Sequence, residues 1–267
     1  MNISPVTSNQ YFLKSNNKQT SFTSWPSMPI MYRDIHGVER MSQVCTDLRN
    51  DLNYKTLAKM LKTFLSIKDG VNQKWDKVKI YCLAGADGTE AYAIAEGLIG
   101  QFGFEKTKEI FFPIRVSDIH DNTIKNFGKS GKVYFGDYEI DKLPNIRNFL
   151  IKENNHFANK TLYSLKPEFR ECFIFETADL QEKIENIPAP QDKEFTLFVI
   201  RNVFHQSGIN AVKCINKLRE KCPPPNSAII LGGYDIKNSN IYNEKIGLKY
   251  LANNTFLITK PEFFSFG

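Results

Sequence analysis

Residues 77–95 read KVKIYCLAGADGTEAYAIA. A β-rich apolar run, VKIYCLAG, stops at a small, turn-prone cluster, Gly85-Ala86-Asp87-Gly88, and a helix-like segment, TEAYAIAEGLIGQF, follows at once. Strand, tight glycine turn and helix N-terminus in that order mark the start of a nucleotide-type site on an open α/β sheet. Small residues there let a backbone approach a ligand closely. The turn carries no G-x-G-x-x-G and no Lys-Ser/Thr, so neither a pyrophosphate cradle nor a P-loop is indicated. An acid, Glu90, stands at the turn-to-helix junction instead. A carboxylate there suits a ligand bearing ammonium and hydroxyl groups better than one bearing phosphates, and S-adenosylmethionine is such a ligand.

Outward from that unit the chain alternates strand and helix patterns. Before it, residues 1–28 are polar and rich in Ser, Asn and Thr, and read as a loose arm ahead of a domain spanning 29–267. Residues 41–67 carry apolar side chains at helical spacing and predict a helical lead-in, with Gly70 as its C-cap. After it come an expected strand in EIFFPIRVSDI, a helix in DNTIKNFGKSG, strands in CFIFETADL and FTLFVIRNV, and a helix in GINAVKCINKLREKC that stops before Pro223-Pro224-Pro225. SAIILGGY and two short terminal strands near GLKYL and TFLIT close the chain. The pattern predicts a doubly wound, mostly parallel α/β sheet with an antiparallel C-terminal edge. Residues 131–171 break the rhythm and read as an inserted excursion.

Composition narrows the function. Hydrophobic residues make up 42% of 267 and aromatics 13%, enough for one large packed domain. The net charge of +6 is spread without a dense basic block, which speaks for solubility and against a nucleic-acid interface. The five cysteines form no C-x-x-C, so no metal site or disulfide framework is expected. No apolar run is long enough to span a bilayer, and the first residues lack a signal-peptide core, so a cytoplasmic protein is expected.

Ligands of doubly wound sheets bind beyond the carboxyl ends of the strands. The residues there are Gly85, Asp87 and Glu90 after the first strand, Asp118 after the second, Asp179-Leu180 after the third and Arg201-Asn202 after the fourth. A carboxylate after the second strand is placed for ribose hydroxyls, and one after the third for an adenine amino group. Each also has a plainer role open to it. Glu90 is a first-turn acid, Asp118 and Asp179 are potential N-caps, and Asn202 is a turn former. His205 stands beside the fourth strand end and could serve as a base for a hydroxyl or amine acceptor.

These blocks, taken together, resemble the CheR-type protein-glutamate O-methyltransferases. GTEAYAIA (88–95) is similar to that family's glycine–acid–acid–proline–tyrosine–serine–isoleucine–alanine block. VSDIHDNTIKNFGKSGKVY resembles its strand, Asp-Ile-Asp, helix and S-G-x-Y segment. LKPEFRECFIFETADLQEK and FTLFVIRNVF resemble the strands ending in Asn-Leu and Arg-Asn-Val, and Met31-Tyr32-Arg33-Asp34 resembles a Phe-Phe-Arg-acid motif. The matches run in unbroken order over roughly residues 29–260.

The resemblance implies a Rossmann-like methyltransferase fold that binds S-adenosylmethionine, with Gly85, Asp87, Glu90, Asp118, Asp179, Leu180, Arg201 and Asn202 around the cofactor. It implies Arg33 near the transferred methyl, a protein carboxylate as acceptor, and 131–171 as the small β-subdomain that some members use to dock on receptors. Departures from the pattern are Pro29 for a Thr, Asp179 for an Asn, and Gln206 where the family carries a Tyr next to the methyl group. The family's helical N-terminal domain, which precedes the Arg motif, is expected to be missing or shrunk to residues 1–28. His205 and Gln206 therefore become the candidate acceptor-side residues. Two alternatives stay open: a methyltransferase with another acceptor, and a non-catalytic module that binds S-adenosylmethionine or S-adenosylhomocysteine or serves as a scaffold. A nicotinamide oxidoreductase is disfavoured because the glycine fingerprint is absent.

Overall fold

The structure is a computed structural model that describes residues 29–33, 39–43, 53–66, 75–157, 159–204, 209–238, 247–252 and 254–260. The arm expected over 1–28 and the Gly70 cap lie outside the described residues.

At the N-terminal side, β1 (Pro29–Arg33) and β2 (Glu39–Gln43) form an antiparallel pair, Pro29 opposite Gln43 and Arg33 opposite Glu39. The strand β2 corrects the helix expected from residue 41. Helical spacing is strong only further on, in α1 (Tyr54–Ser66), where Leu57, Ala58 and Leu61 are buried along one face. That face lies against α2 (Thr89–Phe102), whose residues from Thr89 to Ile99 are nearly all buried between α1 and the sheet.

The strand β3 (Lys77–Leu83) and the helix α2 match the boundaries expected of them. The next unit does not. EIF is the end of α3 (Phe104–Phe111), and only Ile114–Asp118 form β4. Thr107 and Phe111, one helical turn apart, are both buried, and Thr107 Oγ1 donates to the Gly103 carbonyl at 2.7 Å. A short apolar run reads equally well as a buried helix end or a strand. Beyond β4, α4 (Asp121–Thr123) runs into a π-helical segment, Ile124–Lys129.

The excursion is a three-stranded antiparallel sheet in the order β5-β7-β6, built from β5 (Lys132–Gly136), β6 (Leu150–Phe157) and β7 (Lys160–Leu165), with α5 (Asp137–Ile140) after β5. The helix α6 (Pro167–Arg170) returns the chain to β8 (Phe173–Thr177). Ring contacts weld the return to the domain: Phe169 stacks on Phe149 at 5.1 Å, and Tyr92 of α2 meets Phe173 edge-on at 4.9 Å. Glu96 of α2 supplies a polar staple, accepting from the Asn145 and Ile146 amides at 2.8 and 2.9 Å.

The remaining elements are α7 (Leu180–Glu185), β9 (Glu194–Ile200), α8 (Ala211–Lys221), β10 (Ser227–Leu231), α9 (Gly233–Asn238), β11 (Leu248–Ala252) and β12 (Thr255–Ile258). The main sheet runs β11-β12-β10-β9-β3-β4-β8, parallel except for β12, which is antiparallel to both neighbours. Counted from β3, that order is 3-2-1-4-5-7-6, a mostly parallel sheet with an antiparallel C-terminal edge. Alternate residues of the central strands feed two cores. Val78, Ile80 and Cys82 face the α2 side, while Tyr81, Leu83, Phe198 and Ile200 face α7 and α8. All seven residues of β9 are buried, as a strand covered on both faces requires.

Candidate functional site

The chain direction of the crossovers reverses between β3 and β9, which lie side by side. That is the topological switch point, where an open α/β sheet leaves a crevice beyond its strand tips. The turn after β3 and the loop after β9 meet there. Glu90, in the first turn of α2, pairs with Arg201 at the end of β9. The two side chains are unequally covered: Arg201 is 1% exposed and Glu90 21%. The cation lies behind, and the carboxylate is the member that solvent reaches.

The glycine turn is packed by the protein itself. Gly88 holds φ +89, and a Cβ on it would lie 2.7 Å from Phe175 Cζ. One on Gly85 would lie 2.7 Å from Val116 Cγ1. These glycines therefore let β4 and β8 side chains close under the turn. Asp87 is buried and accepts from the Thr89 amide at 3.0 Å, satisfying a helix N-terminal donor that Gly88 has no side chain to meet. Asp118, 6% exposed, accepts from the Ala86 amide on Oδ2 and the His120 amide on Oδ1, each at 2.9 Å. It braces the β3 turn against the β4 tip.

Six of the expected residues thus converge at or beside the switch crevice: Gly85, Asp87, Glu90, Asp118, Arg201 and Asn202. Asp179 and Leu180 follow β8, the edge strand, and have structural work there. The Asp179 carboxylate caps α7 by accepting from the Gln181 amide at 2.8 Å, and Leu180 is buried in the core beneath α8. The β8 tip is still tied to β4, through the Ala178 amide to the Asp118 carbonyl at 3.0 Å. His205 and Gln206 lie outside the described residues; Arg33 is on β1, and its side chain is likewise outside them.

Two residues without an evident role in the bare sequence belong to this region. Thr89 Oγ1, at the first position of α2, is buried with no hydrogen-bond partner among the described residues. Asp235, 0% exposed, accepts from the Phe204 amide at 2.9 Å and also from the Asn202 amide. The Gly232-Gly233 pair was the available signal, since paired glycines end a strand and put Asp235 in the first turn of the next helix. Burial first, and the nearby Glu90 carboxylate second, push the Cys82 thiol well above its usual range, so it stays protonated and is not a nucleophile.

The donor and acceptor set fits an S-adenosyl nucleoside. Glu90 offers a partly exposed carboxylate. Asp118 sets a carboxylate at the neighbouring strand tip, where it holds the Ala86 and His120 amides. Thr89 supplies a buried hydroxyl at the turn without a described partner. Among the described residues, no group of His, Cys, Asp and Glu could hold a metal ion, and no helix is long and apolar enough to cross a membrane.

No protein-family model matches the chain, and no curated protein matches it. Among solved structures, a precorrin-6y C5,15-methyltransferase from Geobacter metallireducens is similar over 77% of each chain, at 9% identity and a TM-score of 0.37. The strand order itself, and not that likeness, defines the mostly parallel α/β sheet.

Proposed function

We propose that this chain is an S-adenosylmethionine-dependent methyltransferase whose acceptor is a protein carboxylate. The observation that carries the reading is the meeting of Glu90 and Arg201 in the switch crevice of a 3-2-1-4-5-7-6 sheet, with Asp118 at the neighbouring strand tip. When bound, the cofactor supplies an electrophilic methyl group on a sulfonium. Glu90 takes ammonium or hydroxyl donors at the open side of the ion pair, and Asp118 takes ribose hydroxyls. Asn202 lines the β9 side.

A carboxylate acceptor asks little acid–base help, because free Glu titrates near ~4.3 and is ionised at neutral pH. Binding and orientation are then the main task, and they can supply roughly 7–11 kcal/mol of the barrier. On the family resemblance, Arg33 holds the acceptor carboxylate in a charge-assisted pair, with His205 and Gln206 beside it. The test is incubation with methyl-tritiated S-adenosylmethionine and candidate proteins, followed by mild alkali. Label released as volatile methanol marks a carboxyl ester. Alkali-stable label moves the acceptor to an amine or hydroxyl, and no transfer refutes catalysis.

A second reading, a non-catalytic binder or scaffold, is favoured by two specific observations. The strand-tip carboxylates already hold partners within the protein, and Gln206 stands at the family's Tyr position. Binding of S-adenosylhomocysteine without turnover supports the binder, and absence of binding supports the scaffold.

A further inference from the structure

Asp235 lies at the start of α9, just past the tip of β10, and no part of it reaches solvent. Its carboxylate gathers backbone donors from two strand tips. Oδ2 accepts from the Asn202 and Gly232 amides, the latter at 3.3 Å, and Oδ1 accepts from the Phe204 amide at 2.9 Å. Asn202 is held at φ +55, in the left-handed region that asparagine tolerates better than most non-glycine residues. Gly232 completes the arrangement, because a Cβ there would collide with Asn202 Oδ1. One buried charge thus joins the β9 and β10 tips on the flank of the crevice where Arg201 meets Glu90.

We propose that Asp235 is the positioning residue of the crevice. Acting through the β9 tip, it sets Asn202 and Arg201, and through Arg201 the carboxylate of Glu90, without touching ligand itself. The inference rests on reading the crevice as the S-adenosyl nucleoside site. The work needs a carboxylate. Asparagine has one acceptor oxygen, and its amide would turn N–H groups toward backbone N–H groups, leaving buried donors unmet.

The experiment compares the full chain with Asp235→Asn and Gly232→Ala by two readouts. The first is hydrogen exchange of the amides over 201–204. The second is calorimetric titration with S-adenosylhomocysteine, below the temperature at which circular dichroism shows unfolding. Gly232→Ala leaves the Asp235 charge in place and displaces Asn202, so it carries the test if Asp235→Asn does not fold. The expected result is faster exchange confined to the β9 tip together with affinity weakened about tenfold or more in each folded variant. Unchanged exchange over 201–204, or unchanged affinity in a folded variant, overturns the proposal. If the unaltered chain takes up no S-adenosylhomocysteine, the nucleoside reading of the crevice fails. The exchange pattern still decides whether Asp235 holds the β9 tip.

Discussion

The switch crevice and the inserted sheet are held by the same device, a buried carboxylate that collects backbone amides. In the insertion the device is closed. Glu96 staples residues 145 and 146 to α2, while Glu139 accepts from the Gly136 amide at 2.8 Å and pairs with buried Lys160 at 3.1 Å. In the crevice, Asp118 and Asp235 do the same job, but a further acid, Glu90 on its buried arginine, keeps access to solvent. Carboxylates that only hold backbone read as architecture. Among the described residues, the crevice differs in having an accessible charge, Glu90, at the place where the topology opens the sheet.

Substitutions separate the two regions. The largest effect is expected from Glu90→Ala, which takes a counter-charge from the buried Arg201 guanidinium and lowers stability by about 3 kcal/mol in a denaturant titration. Arg201→Leu should lower it less, since the stranded Glu90 is the partner that water reaches. Equal losses would show that the pair is symmetric and the crevice no more open than the insertion. Glu96→Ala comes next, at about 2 kcal/mol, because two backbone donors lose their acceptor. Its exchange signature should fall on residues 141–149 and spare the crevice.

Glu96 also gives the insertion a pH dependence. Burial holds its carboxyl above the ordinary 4.5, against the amides that favour the charged form. The folded state therefore binds the Glu96 proton more tightly than the unfolded chain does. That contribution is complete below the unfolded value and is lost as pH rises through the folded one. Denaturant midpoints across this window should fall with rising pH by a component that Glu96→Gln removes; an identical profile in the variant contradicts the assignment. The smallest effect is that of Asp179→Ala, about 1 kcal/mol for a lost N-cap, which Asp179→Ser should largely restore. Loss of ligand affinity in the serine variant would show that Asp179 contacts ligand as well as capping α7.

Much of the fold is legible in the residues. The run from Lys77 to Phe102 declares strand, turn and helix through an abrupt change from apolar alternation to small residues to an acid, and the short terminal strands declare the antiparallel edge. The α3–β4 boundary is not legible, because EIFF satisfies both periods until burial of Thr107 and Phe111 decides for a helix. Around the candidate site, the positions of the strand-end acids are legible and their wiring is not. Acids at strand ends can be counted from sequence, but which of them are already satisfied depends on partners brought from far along the chain. Asp118 reaches back to Ala86, and Asp235 reaches back to Asn202 and Phe204. For Asp179 and Leu180, a strand-end position alone does not reveal the helix cap and the core packing that each also supplies.

The decisive measurement is a calorimetric titration of S-adenosylhomocysteine into the full chain and into Glu90→Gln, which keeps a hydrogen bond to Arg201 and removes the negative charge. A saturable one-to-one heat in the unaltered protein, strongly reduced in the folded variant, is the result expected of an accessible carboxylate in the switch crevice. No heat in the unaltered protein, or the same affinity in both, contradicts it.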